Sequence, residues 1–346
     1  MKKYFGIFMI GAIVSCLSMA AVAQSRAGVN TKENKESLSV LTPDETLSLS
    51  SSSSPASVHG KRTDFDGDGK SDIAVFRRNE GNWYVLQSLD NTLKVQQWGA
   101  STDGTVSMDY DGDGKTDFAV VRVEGNNLTW YILESATGNV RRQVWGLSSD
   151  WVVPGYYDGD AKADIAVYRY DPFSYEPTHW YVLNSSNNSL GQILLGDDAG
   201  DLPCPADYDG DGLTDAAIFR TQNGGGWIVE NSTNGSLREQ AWGLTTDQPV
   251  VADFDGDGKT DFAVYRRSEG TWYILNSSDG SVRAEQWGIS TDRALPNDYD
   301  GDGKADIAVY RKGATTGEQS FWYIKQSSNN EPRIVPWGVR EDGTVQ

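Results

Sequence analysis

Asp64-Phe65-Asp66-Gly67-Asp68-Gly69-Lys70-Ser71-Asp72, running straight into Ile73-Ala74-Val75-Phe76-Arg77, decides how this chain is read. The same unit starts again at Asp109, Tyr156, Asp207, Asp253 and Asp298, at spacings of 45, 47, 51, 46 and 45 residues. Each copy continues alike. The apolar stretch ends in Arg77, Arg122, Arg169, Arg220, Arg266 or Arg311, and a second stretch opens on Trp83, Trp130, Trp180, Trp227, Trp272 or Trp322. A third closes on a Trp-Gly pair at Trp98, Trp145, Trp242, Trp287 and Trp337, with Leu195 in the third copy. An Asp follows (Asp103, Asp150, Asp201, Asp247, Asp292, Asp342), and a short apolar segment leads into the next acidic loop. Eleven of the 12 Trp fall at two repeat positions, so the repeat is no accident of composition.

The stretches are short, rich in Val, Ile, Tyr and Trp, and bounded by turn residues, which reads as strands. In Trp272-Tyr273-Ile274-Leu275 both alternating faces are apolar, so both faces of the sheet must be covered. A sandwich with one wet face does not predict that. A ring of radially packed blades does, and the period matches blade size. The sequence predicts an all-β fold, a β-propeller of six four-stranded blades over residues 58–346; a seven-bladed or incompletely closed ring is the alternative. The lead-in segments carry Val106, Val153, Cys204, Val250 and Leu295 at one position, and the chain runs past Trp337-Gly338 to Val345. A strand around Val345 is expected to complete the first blade and remove the open sheet edges. Cys204 reads as a small buried hydrophobe.

Ahead of the repeats, Met1-Lys2-Lys3, an apolar run and Ala21-Val22-Ala23 form a signal-peptide pattern over residues 1–23, with cleavage after Ala23 favoured. Ile13-Val14-Ser15-Cys16 is a minority alternative, a lipid anchor at Cys16. Residues 24–57 include the Ser48–Ser54 tract and read as a flexible linker. No other segment approaches the ~18 apolar residues of a spanning helix, so the expectation is a secreted or bacterial cell-surface protein. The charge is −19, from 30 Lys+Arg against 49 Asp+Glu, which excludes a phosphate-backbone binder and hence nucleic acid.

Four carboxylates within nine residues repel one another, and a counter-ion is the physical reason to crowd them. Hard oxygen donors at this spacing suit Ca²⁺. The expected ligands are the side chains at positions 1, 3, 5 and 9 and the backbone carbonyl at position 7. These are Asp64, Asp66, Asp68, Lys70 and Asp72; Asp109, Asp111, Asp113, Lys115 and Asp117; Asp207, Asp209, Asp211, Leu213 and Asp215; Asp253, Asp255, Asp257, Lys259 and Asp261; and Asp298, Asp300, Asp302, Lys304 and Asp306. The third loop keeps Asp158, Asp160, Lys162 and Asp164 but has Tyr156 first and Ala161 for the second Gly, so it should bind weakest. Five to six structural ions are expected. Position 12 lies inside a strand (Val75, Val120, Val167, Ile218, Val264, Val309), so these loops are not EF-hands.

The tandem Asp-x-Asp-Gly-Asp-Gly-x-x-Asp loop ahead of an apolar strand resembles the FG-GAP/VCBS repeat family, from about residue 58 to 346. Integrin α-subunit propellers carry similar calcium loops. The resemblance implies a calcium-binding β-propeller in a secreted or surface protein that serves interaction, with its ligands on the loop positions above. The chain departs in having Trp-Gly where Phe-Gly might stand, no Gly-Ala-Pro, and six repeats where integrin-type propellers have seven blades.

Three functions are weighed. The first is a non-enzymatic interaction or adhesion module whose partner is an extracellular protein or glycan. The second is a propeller enzyme, which His59 and His179 alone do little to support, no catalytic motif being present. The third is a lectin, with Trp stacking on sugars; blade packing is the simpler role for the repeated Trp. Trp151, outside the repeat, and Phe173 and Tyr175, in an insertion of the third copy, are the candidate partner contacts. The six repeated Arg are expected to pair with the Asp that follows Trp-Gly.

Overall fold

The computed structural model describes residues 63–170, 178–196, 200–222 and 224–345. Among them the secondary structure is all β, arranged as six four-stranded antiparallel sheets. The chain is a six-bladed β-propeller. In blade 2 the inner strand Gly104–Thr105 pairs with Phe118–Glu124, then come Asn127–Leu133 and the outer strand Val140–Leu147. Blades 3 to 6 repeat this order.

Blade 1 is assembled from both ends of the described chain. Its second, third and outer strands are Ile73–Arg77, Asn82–Leu86 and Leu93–Gln97, and its inner strand is Gly343–Thr344. Thr344 stands opposite Val75, and the Val345 amide donates to the Ala74 carbonyl at 3.2 Å. The expected closure is present, and blade 1 keeps no bare inner edge.

The core is not inside the blades but between them. Six apolar clusters each take side chains from two consecutive blades, and the sixth joins blade 6 to blade 1 through Leu295, Tyr310 and Trp322 against Ile73 and Val75. Strand periodicity explains this: Ala74 and Phe76 face blade 2, while Ile73 and Val75 face blade 6. The six Trp that open the third strands are 0–1% exposed, which makes them packing residues of these seams. Cys204 lies buried in the same way, and burial pushes its thiol up to about 12. Residues 1–62, which carry the signal and linker expectations, lie outside the described residues, as do Phe173 and Tyr175. No helix among the described residues is long and apolar enough to cross a membrane.

Candidate metal centre

In blades 2 to 6 the acidic loop connects inner to second strand, and in blade 1 it leads directly into the second strand, so all six fall on one face of the ring. Their backbone wraps tightly: Gly67 and Gly69 have φ of +82° and +86°, a region closed to most side chains. In loop 1 the Asp64 carboxylate accepts from the amides of Gly67 (2.6 Å) and Gly69 (2.9 Å). Asp72 accepts from the amides of Phe65 (2.8 Å) and Ser88 (2.6 Å), and Asp68 from the Lys70 amide (2.8 Å) and the Ser88 hydroxyl (2.9 Å).

These bonds gather three carboxylates at a time. Oxygens of Asp64, Asp66 and Asp72 lie within 4.8 Å of one another, and so do those of Asp109, Asp111 and Asp117, of Asp207, Asp209 and Asp215, of Asp253, Asp255 and Asp261, and of Asp298, Asp300 and Asp302. The fifth-position Asp68, Asp113, Asp211 and Asp257 stand outside their groups, as does Asp306 at position 9. The amides of Lys70, Lys115, Lys162, Leu213, Lys259 and Lys304, whose carbonyls were the expected fifth ligands, donate to the fifth-position carboxylates at 2.8–2.9 Å. In the third loop no such group forms among Asp158, Asp160 and Asp164. Tyr156 explains it: where the other loops place a carboxylate, its side chain is buried in the cluster between blades 2 and 3.

The groups are electrostatically tense. Burial raises the carboxyls of Asp64, Asp109, Asp207 and Asp253, and pushes Asp72, Asp117, Asp261 and Asp306 up to about 6. Crowded, partly desolvated carboxylates of this kind could hold a hard cation, which would relieve that tension.

The sequence reading missed one contributor. Ser88, Ser135, Ser185, Ser232, Ser277 and Ser327 each stand five residues after the Trp of the third strand. Each donates its amide to the ninth-position Asp (2.6–2.7 Å) and its hydroxyl to the fifth-position Asp (2.8–3.0 Å). That constant offset from Trp was the available signal. The loops also join each other. The amides of Ser71, Thr116, Ala163, Thr214, Thr260 and Ala305 each donate to the first-position carbonyl of the preceding loop at 2.7–2.8 Å, and Ser71 to Asp298 closes the hoop.

The family model described as FG-GAP-like repeat matches residues 207–264 and 253–309, the stretch holding loops 4 to 6. That stretch is similar to FG-GAP-like repeats. No curated protein matches the chain. Among solved structures, TolB from Acinetobacter baumannii is 14% identical with a TM-score of 0.54, over 79% of this chain and 66% of that one. The chain thus spans slightly under two thirds of the TolB chain, and the likeness is one of fold. Weaker likenesses include BBS1N in its complex with ARL6DN (12% identity, 80% and 79% coverage, TM-score 0.39) and the exotype rhamnogalacturonan lyase YesX (13%, 80% and 64%, 0.36).

The other end of the second strands carries a different repeated pair. There each second strand carries its Arg at or near its last residue, and that Arg pairs with the Asp after Trp-Gly as expected. Arg77, Arg122, Arg169, Arg266 and Arg311 set Nε and Nη2 on the two oxygens of Asp342, Asp103, Asp150, Asp247 and Asp292 at 2.7–3.0 Å. The same guanidiniums lie 4.3–4.8 Å from the rings of Tyr84, Tyr131, Tyr181, Tyr273 and Tyr323. Trp151 is 52% exposed, unlike the repeated Trp.

Proposed function

We propose that the chain is a calcium-binding β-propeller that serves as a non-enzymatic interaction module outside the cell. The observation that carries this reading is the hoop of loops with five groups of three carboxylates. Asp64, Asp66 and Asp72 and their counterparts would hold the ions, with the fifth-position Asp and the seventh-position carbonyl completing the shell. Bound calcium would supply positive charge that cancels the repulsion within each group, and so would contribute folding free energy directly. The role is structural: the acidic groups recur around the ring, whereas a reaction centre needs one asymmetric constellation. The signal-peptide pattern supports export. Trp151 supplies an exposed aromatic for a protein or glycan partner, an interaction mode to which large, rigid side chains suit themselves.

Thermal unfolding of the chain in excess calcium and in EDTA, with ions counted by native mass spectrometry, tests this. The expected result is a large calcium-dependent rise in Tm with about five tightly held ions, the third loop being weakest. No retained ion and no shift would overturn it.

A further inference from the structure

One step past each repeated Arg–Asp pair, the chain places two residues at the same end of a blade: the one after the Arg of the second strand, and the one after the Asp, where the inner strand begins. The inner strands surround the axis of the ring, so these positions frame its central opening at that end. The bond from Arg267 Nε to Gln248 Oε1, 3.1 Å long, joins the two positions of blade 5.

The blades fill this rim unequally. Blades 5, 6 and 1 put four cations there, Arg267, Arg293, Lys312 and Arg78, all exposed. Blades 2, 3 and 4 put none there, and blade 3 supplies Trp151 and Tyr170. The chain as a whole carries −19, so the cationic arc opposes the overall charge. Among the described residues, none of the four cations is paired with a carboxylate. The acids of this end are engaged elsewhere. Each repeated Asp is held by its Arg. Glu80 meets Arg77 and Tyr84, Glu269 meets Arg266 and Tyr273, and Glu341 accepts from the Gly317 amide.

Arg293 is the most crowded of the four. In blade 6 it takes the place of Gln248, and Lys312 that of Arg267, so an acceptor for the neighbouring cation gives way to another cation. Arg293 reaches water, but protein flanks much of it. That partial desolvation, with the positive charge of Arg267 added, holds its guanidinium below the usual range. Like charges gathered without a counter-ion repel one another, and an anion set among them removes the repulsion.

The rest of the rim favours a partner over a free ion. Arg, Trp and Tyr are the residue types that anchor protein interfaces, and Trp151 is 52% exposed on the uncharged arc. An inorganic anion would leave those rings unused.

We propose that this end of the ring docks an acidic segment of a partner protein, with its carboxylates on the arc of Arg267, Arg293, Lys312 and Arg78. It gives the interaction module proposed above its binding face, and rests on that reading.

The test uses the full chain at fixed free calcium. The probe is fluorescein-labelled hexaglutamate, with hexaserine carrying the same label as its uncharged control, read by fluorescence anisotropy. The parent should bind hexaglutamate and not hexaserine, with affinity falling as salt rises. Arg267→Gln and Arg293→Gln together should weaken binding by about tenfold or more. Arg283→Gln with Arg333→Gln takes the same charge from outer strands, and should change it by less than about twofold. Ions counted by native mass spectrometry in the same samples separate this inference from the metal reading. A parent that holds its calcium and ignores hexaglutamate, or an Arg267/Arg293 double variant that binds it like the parent, overturns the inference alone. Binding of hexaglutamate by a parent that holds no calcium supports the docking face and overturns the metal reading alone. An oligogalacturonate of equal charge that binds tenfold more tightly than hexaglutamate overturns the peptide assignment in favour of an acidic glycan.

Discussion

The seam between blades 1 and 2 and the seam between blades 3 and 4 perform one task with different parts. In the first, Trp98 reaches across to donate its indole N–H to the Tyr131 carbonyl at 3.2 Å. Arg122 grips Asp103 with two bonds of 2.8 Å and covers the Tyr131 ring at 4.8 Å. In the second, Leu195 takes the Trp position and Ile228 the Tyr position, and the Arg220–Asp201 pair is 3.9 Å apart. Leu195 and Ile228 are buried there with Val153, Tyr168 and Ile218. At the Trp position one seam is thus closed by an indole hydrogen bond and the other by apolar contact, while both keep a loop-to-loop amide bond, Thr116 to Asp64 and Thr214 to Tyr156. A ring of this kind needs every seam shut, but it does not need every seam shut by the same chemistry.

The largest effect should come from opening the ring. Deleting residues 342–346 removes the inner strand of blade 1, the Val345 contact and the partner of Arg77 together. Losing one partner of a buried pair alone costs about 3–5 kcal/mol. The deletion should exceed that in urea unfolding, and an unchanged midpoint would refute the closure.

Breaking the first seam selectively sharpens the contrast. Asp103→Ala strands Arg122 and should cost about 3–5 kcal/mol, whereas Trp98→Leu, which gives the first seam the residue of the second, loses the indole bond to Tyr131 and should cost about 1 kcal/mol beyond lost packing. No loss from Trp98→Leu in denaturant melts would mean that the two seams are held alike after all. Loop 3 offers a gain rather than a loss. Tyr156→Asp restores the first carboxylate, and native mass spectrometry should count one ion more. Its benefit is about 2.7 kcal/mol at a hundredfold excess over Kd, less whatever the lost Tyr packing costs. An unaltered count would show that Tyr156 is not what separates loop 3 from the others.

The smallest effect is one of pH. Burial pushes Asp72, Asp117, Asp261 and Asp306 up to about 6, above an unfolded value of about 3.9. The folded state then binds protons more readily than the unfolded one. In EDTA, stability should therefore fall as pH rises from 4 through 6. In calcium the trend should reverse, because protons compete with the ion for the same oxygens. Parallel Tm–pH curves in the two buffers would contradict this.

Most of the fold was legible because the repeat states each constraint six times. Trp at two fixed positions, apolar residues on both faces of the third strand and Val345 beyond the last Trp-Gly pair were enough for the ring and its closure. The loops were legible through their carboxylates, but their internal division was not. The Ser that holds positions 5 and 9 was not expected: in the first loop Ser88 gives its hydroxyl to Asp68 and its amide to Asp72. The hoop from Ser71 round to Asp298 was invisible for a different reason: it is made of backbone amides and carbonyls, which every residue carries.

The strand that closes blade 1 also sets a clock. Arg77 and its partner Asp342 are separated by 265 positions. At about 5–20 residues per second, a ribosome takes roughly 13–50 s to cross that distance. For all of that interval the first blade has three strands and a bare inner edge, while the blades made after it can complete themselves locally. The first blade to be made is therefore the last to gain its fourth strand, and until then its inner edge stays open to pairing with a stranger.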